Sequence, residues 1–119
     1  MIKDPLIYLE QINEAIEIIE KYTVGMKKIS FIRPSAVQDA VILRLEIIGE
    51  AARVTPEDFQ KKHKEIPWRK IADFRNKLIH DYFGVDFDLV WNILQKDLPK
   101  LKKQIEEILL LAMTTKKCI

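Results

Sequence analysis

Apolar residues recur at spacings of three and four along most of this chain, the period of helices that bury one face. In the first segment Leu6, Leu9, Ile12, Ile16 and Ile19 keep that spacing. Asp4-Pro5 supplies an N-cap and a first-turn proline, and the pattern fades between Tyr22 and Gly25. Met26 to Pro34 reads as a basic connector. Ser35-Ala36-Val37-Gln38 has the form of a capping box and opens a second helix, expected to reach about Val54. Its apolar positions form two interleaved series, Val37/Val41/Ile48/Ala52 and Ala40/Leu43/Ile47/Ala51. So wide an arc predicts burial on more than one side. Asp39, Glu46, Glu50 and Arg53 gather on the polar side, but Arg44 falls within the apolar arc. A charge there must be paired, or must face a cleft or a second chain.

Thr55-Pro56-Glu57-Asp58 is a further N-cap signature, predicting a short helix that ends near Lys61-Lys62-His63-Lys64. The third main helix follows Pro67 and extends to about His80 or Asp81, where Gly84 breaks it. Asp86 caps the fourth, whose seam runs through Val90, Leu94, Leu98, Leu101, Ile105, Ile108 and Ala112, kinked or interrupted near Pro99. No strand pattern and no repeat appear. The expectation is an all-α protein, an up-and-down bundle of four main helices plus a short one. It forms one domain over residues 1–112, followed by a tail over 113–119.

Composition narrows the classes. The 119 residues, 48% hydrophobic and 32% charged, suit one domain with a real core. The longest uncharged run, Ile108 to Thr115, is eight residues, far below the roughly 18 that a membrane-spanning helix needs. The opening Met-Ile-Lys-Asp-Pro lacks the apolar core of a signal peptide. Cys118 is the single cysteine, so no intrachain disulfide or cysteine-rich zinc site forms, and a reducing cytoplasm is the expected compartment. Net charge is +2, yet residues 60–80 carry seven Lys or Arg against Glu65 and Asp73. Such a stretch fits a local anion site, of the kind that binds a nucleotide or another small anion, or simply a solvated helix face.

Candidate chemistry concentrates in Ile71-Ala72-Asp73-Phe74-Arg75-Asn76-Lys77-Leu78-Ile79-His80-Asp81-Tyr82. Trp68, Ile71, Phe74, Leu78 and Ile79 form the apolar arc of a helix, with Arg75 inside it; Asn76 and His80 share the opposite edge. An imidazole, an arginine and an amide are the groups that a metal-free phosphodiesterase needs. The histidine moves the proton, the guanidinium stabilises phosphoryl charge, and the amide orients. Arg75 and His80 lie about 140° apart around an ideal helix, so a joint site requires unwinding near His80 or a second copy of the chain. The same pair also occurs by chance, and a histidine near a helix C-terminus can simply offset the dipole. His63, in a lysine run, is expected to face solvent, and Trp68 and Trp91 to pack in the core. Two histidines with no carboxylate cluster make a poor metal site, and no metal or cofactor is expected.

Arg75-Asn76-Lys77-Leu78-Ile79-His80-Asp81-Tyr82 resembles the HepT-like family, within the larger HEPN group of helical proteins of prokaryotic conflict systems. The hallmark there is Arg, four to six residues, His, one residue, Tyr. The likeness extends to Asp4-Pro5-Leu6-Ile7-Tyr8-Leu9, Arg44-Leu45-Glu46-Ile47-Ile48-Gly49-Glu50-Ala51, Ile66-Pro67-Trp68 and Tyr82-Phe83-Gly84-Val85-Asp86. The resemblance implies a toxin of a toxin–antitoxin pair, a metal-independent endoribonuclease acting on RNA as a homodimer with both motifs in one cleft. It implies a minimal nucleotidyltransferase antitoxin as partner, which silences the toxin by transferring AMP to the motif tyrosine. Carried over, Arg75 and His80 are catalytic, Asn76 is a supporting residue, and Tyr82 is the modification site. Arg44 would fit at the dimer interface. The alternative is a non-catalytic helical adaptor that binds the nucleotidyltransferase.

Overall fold

A computed structural model describes residues 4–80 and 84–117. Among them every regular element is helical, and four are long: α1 (Leu6–Thr23), α3 (Ala36–Val54), α5 (Trp68–His80) and α7 (Leu98–Lys117). The short elements are α2 (Lys28–Phe31), α4 (Glu57–Lys62) and α6 (Phe87–Asn92). This is the all-α bundle that the periodicity predicts.

The caps explain most boundaries. Asp4 Oδ1 accepts from the Leu6 N–H at 3.0 Å, so the aspartate caps α1 although Pro5 already has helical dihedrals. Ser35 Oγ accepts from the Gln38 N–H at 3.2 Å and starts α3. The box is not reciprocal, however. The Gln38 amide is buried and donates to the Phe31 carbonyl at 3.1 Å, tying the helix start to the preceding turn. That turn is α2, where a plain connector was expected. One fully buried side chain, Phe31, anchors it against Phe87 and Trp91.

Thr55 departs from its expected part. It is buried, and its hydroxyl donates back to the Ala51 carbonyl at 2.7 Å, closing α3 instead of capping α4. Asp86 behaves as predicted, accepting from the N–H groups of Asp88 (3.0 Å) and Leu89 (3.2 Å). The fourth helix is interrupted ahead of Pro99: Ile93–Asp97 widen into a π-helical turn, in which the Leu98 N–H bonds to the Ile93 carbonyl. A proline ring crowds the carbonyl four residues before it, and the wider winding moves that carbonyl away.

The core lies where α3 packs on α1 and α5, and α7 on α1. Leu9, Ile12, Ile16 and Ile19 of α1 meet Val41, Ile48 and Ala52 of α3 and Ile105 of α7, all essentially inaccessible. Lys102 of α7 reaches Glu20 of α1 at 2.7 Å and latches that pair at its edge. Leu43 is the correction to the predicted α3 arc. It is 53% exposed, outside the core, so burial is narrower on that side than the pattern indicated. Trp68 is buried and Trp91 packs against the core, as predicted. No described helix is long and apolar enough to cross a membrane.

Candidate active site

α5 carries the chemistry-bearing run and uses α3 as its bed. It is helical without a break from Trp68 to His80, so the unwinding that would bring Arg75 and His80 together does not occur up to His80. Their backbone positions therefore stay about 140° apart around one axis. The His80 side chain lies outside the described part, and Tyr82 outside the described residues, so the motif is seen through Arg75 and Asn76.

Arg75 sits inside the apolar arc because α3 offers it a place there. Opposite it is Gly49, in mid-helix. A Cβ built on Gly49 would overlap the Arg75 Cβ, come within 2.7 Å of its Cγ and lie 3.3 Å from its Cα. The arginine stem thus rests directly on the α3 backbone. From there its guanidinium turns outward, with the side chain 28% exposed. Nη2 pairs with Glu50 Oε2 at 3.3 Å, and Nη1 donates to Asn76 Oδ1 at 3.1 Å. Nε is buried, with no hydrogen-bond partner among the described residues.

Glu50 is shared. Arg53, one turn further along α3, grips both its oxygens, Nη2 at 2.6 Å on Oε1 and Nε at 3.1 Å on Oε2. The Arg53 hydrogen bonds, with the charges of Arg53 and Arg75, hold the Glu50 carboxyl below its ordinary range against the opposing effect of burial. Arg53 is raised in turn by Glu50. Two guanidinium groups and one carboxylate leave the cluster with one net positive charge, at a surface where an anion can approach.

Other predicted residues are placed differently. Arg44 is half-buried and makes no ion pair or hydrogen bond among the described residues. His63 is not simply solvent-facing: its ring packs 4.5 Å from Phe59, and its Nδ1 lies 3.4 Å from Glu65. The basic 60–80 stretch does not converge on one place. Lys61 pairs with Glu57 on α4, and Arg75 faces Glu50. Lys70 and Lys77 edge a groove of about 620 Å³, floored by Leu45, Ile48 and Phe74. Gly49 and Glu50, the α3 residues in contact with Arg75, have no role legible in the sequence pattern. A glycine inside an otherwise strong helix, next to a Glu50–Arg53 pair, was the available signal.

Residues 12–108 match the Ribonuclease HepT-like family. A "Gamma-glutamylcyclotransferase and putative RNase" from Methanocaldococcus jannaschii is 48% identical over 109 residues. That alignment covers 92% of this chain but only 49% of the relative, so the chain spans about half that protein's length. A "Probable ribonuclease HepT" from Thermococcus cleftensis is 48% identical over 101 residues, covering 85% of this chain and 92% of the relative. A "Putative RNase" from Caldanaerobacter subterraneus subsp. tengcongensis is 40% identical over 107 residues, covering 90% and 96%. No solved structure matches the chain. With the greater part of its length matched, and the helical bundle of that group in place, the chain belongs to the Ribonuclease HepT-like family.

Proposed function

We propose that this protein is a metal-independent endoribonuclease, the toxin of a toxin–antitoxin pair, with Arg75 and His80 as its catalytic residues. The observation that carries the proposal is the fixed, outward-turned Arg75 guanidinium on a helix that continues unbroken to His80. In this reading His80 takes the proton of an RNA 2′-hydroxyl as the oxygen attacks phosphorus. The P–O bond to the 5′-oxygen breaks, that oxygen leaves with the proton returned by the His80 imidazolium, and a 2′,3′-cyclic phosphate remains. Arg75 stabilises charge on the non-bridging oxygens, and Asn76 supports it through their mutual hydrogen bond.

Because one continuous helix turns Arg75 and His80 apart, two copies of the chain supply the site, as a homodimer with Arg44 near the two-fold axis. The partner that restrains it is a minimal nucleotidyltransferase antitoxin, which transfers AMP from ATP to the Tyr82 hydroxyl and releases pyrophosphate. The added anion occupies the place of an RNA phosphate.

The deciding experiment incubates the purified, partner-free protein with RNA in EDTA, beside His80→Ala. Cleavage by the wild type alone is expected, with light scattering giving a dimer at micromolar concentration. No cleavage by a folded wild type would leave the family's helical adaptor role, and strict dependence on a divalent ion would refute the mechanism. A monomer would refute the shared site. With the nucleotidyltransferase and ATP, the wild type should gain AMP mass and lose activity. Tyr82→Phe should do neither.

A further inference from the structure

Of the two proposed catalytic groups, Arg75 is the one whose surroundings are described, and the Glu50 carboxylate in contact with it takes no part in the proposed cleavage. We propose that Glu50 is a positioning residue. It holds the Arg75 guanidinium in the orientation in which it meets the scissile phosphate, without itself touching RNA. The inference rests on the ribonuclease reading.

Three features support positioning over simple neutralisation. First, the Arg75 stem cannot shift toward α3, because it already lies against the backbone at Gly49. The guanidinium can then only swing about its terminal bonds. Second, both terminal nitrogens are tethered, Nη2 to Glu50 at 3.3 Å and Nη1 to Asn76 at 3.1 Å, which stops that swing. Nε is buried, so the group cannot turn that edge outward to a ligand without leaving its bed. One N–H on each terminal nitrogen remains uncommitted, and together they offer the two-pronged donor that phosphoryl oxygens accept. Third, Glu50 is not consumed by Arg75. Arg53 takes its two oxygens at 2.6 and 3.1 Å, leaving Arg75 the longer contact on Oε2. Arg53 thereby holds Glu50 still, and Glu50 holds Arg75. A donor fixed before the charge develops needs no reorganisation when it does, which is where such a chain of contacts acts on rate.

The test compares wild type, Glu50→Gln and Glu50→Ala in RNA cleavage under steady-state conditions, with thermal unfolding of each. Gln keeps an oxygen that can accept from Arg75; Ala keeps none. The expected result is a fall in kcat of about tenfold to a hundredfold for Glu50→Ala, below the roughly 10²–10³-fold cost of losing a stabilising donor outright. Glu50→Gln should lie between, with KM within about threefold of wild type in both, since binding and transition-state interactions separate this way. A kcat within twofold of wild type for Glu50→Ala overturns the proposal, as does a loss carried entirely by KM. So does a loss that tracks melting temperature, with no recovery by Gln.

A second measurement separates this inference from the ribonuclease reading. The Arg75 guanidinium ¹⁵N–H signals, identified by their disappearance in Arg75→Lys, should show hindered rotation in the wild type and faster rotation in Glu50→Ala, where Asn76 is the remaining tether. If the wild type cleaves no RNA, the ribonuclease reading falls and these signals judge the tether alone. Identical rotation in both proteins overturns it.

Discussion

Replacing Gly49 with alanine sets two physical effects against each other, and the structure decides the sign. In an isolated helix the change is favourable by about 1 kcal/mol, because glycine has the greater backbone entropy to lose. Here the added methyl would overlap the Arg75 Cβ and come within 2.7 Å of Cγ and 3.3 Å of Cα. No rotamer of Arg75 relieves this, because Cα and Cβ do not move with its side-chain torsions. α3 and α5 must separate instead. Over-packing of this kind costs about 1–3 kcal/mol, so after the propensity gain the net destabilisation is about 1 kcal/mol and can reach ~2 kcal/mol. For a domain of this size that lowers Tm by roughly 3–10 °C. Thermal unfolding followed by circular dichroism reads it directly. The control is Gly49→Ala combined with Arg75→Ala, which keeps the offending Cβ and should not restore stability. A Gly49→Ala protein more stable than the wild type, as the propensity gain alone predicts, would refute the contact and with it the bed on which Arg75 rests.

Three other substitutions test the remaining architecture. Because Glu50 is held below its ordinary value of 4.5, mainly by Arg53, its ionised form contributes stability above that pH. That contribution is lost as pH falls through the depressed value, so the Tm difference between wild type and Glu50→Gln should shrink toward zero on acidification; a constant difference from pH 7 to 3 would contradict the linkage. Phe31→Ala empties a fully buried site and should cost about 3–5 kcal/mol by urea denaturation, whereas a cost below ~1 kcal/mol would mean that α2 is not anchored through this ring. Asp86→Ala removes two hydrogen bonds at the start of α6 and should cost about 1 kcal/mol by the same measurement; no change would show the cap to be idle.

Elements with several turns could be read from the chain because each displays its buried face more than once. Thus α1 and α3 begin and end within a residue or two of their predicted limits, and α5 begins where predicted. α2 could not, since a single turn with one buried residue, Phe31, has no period to detect. Leu43 was misplaced for a related reason. Periodicity identifies an apolar arc but cannot say how far neighbouring helices cover it, and they stop short of Leu43. Pro99 announced an irregularity, but the strain is taken up in the turn before it, where the chain had freedom to widen. At the site, Arg75 was visible as a charge in an apolar arc. Its partners were not: what Gly49 and Glu50 do depends on contacts between α3 and α5 that no local pattern encodes.

Those contacts also account for an apparent conflict within the motif. An arginine amid apolar positions would ordinarily destabilise a helix packed on a core, through the desolvation of its charge. Gly49 removes that conflict by letting the aliphatic stem occupy the apolar position while the guanidinium emerges at the edge, next to Glu50. The same arrangement holds Arg75 on the α3 side of its own helix. In the proposed reading, a glycine that seats the arginine and a carboxylate that tethers it leave Arg75 to meet His80 across two copies of the chain. On this reasoning the site requires a second copy, and Arg75 enters it already fixed on α3. Mixing Arg75→Ala with His80→Ala subunits tests that dependence: heterodimers of the two inactive forms retain one intact pair across the interface and should recover cleavage. Failure to recover in a demonstrated mixed dimer would place both groups in one chain's site after all.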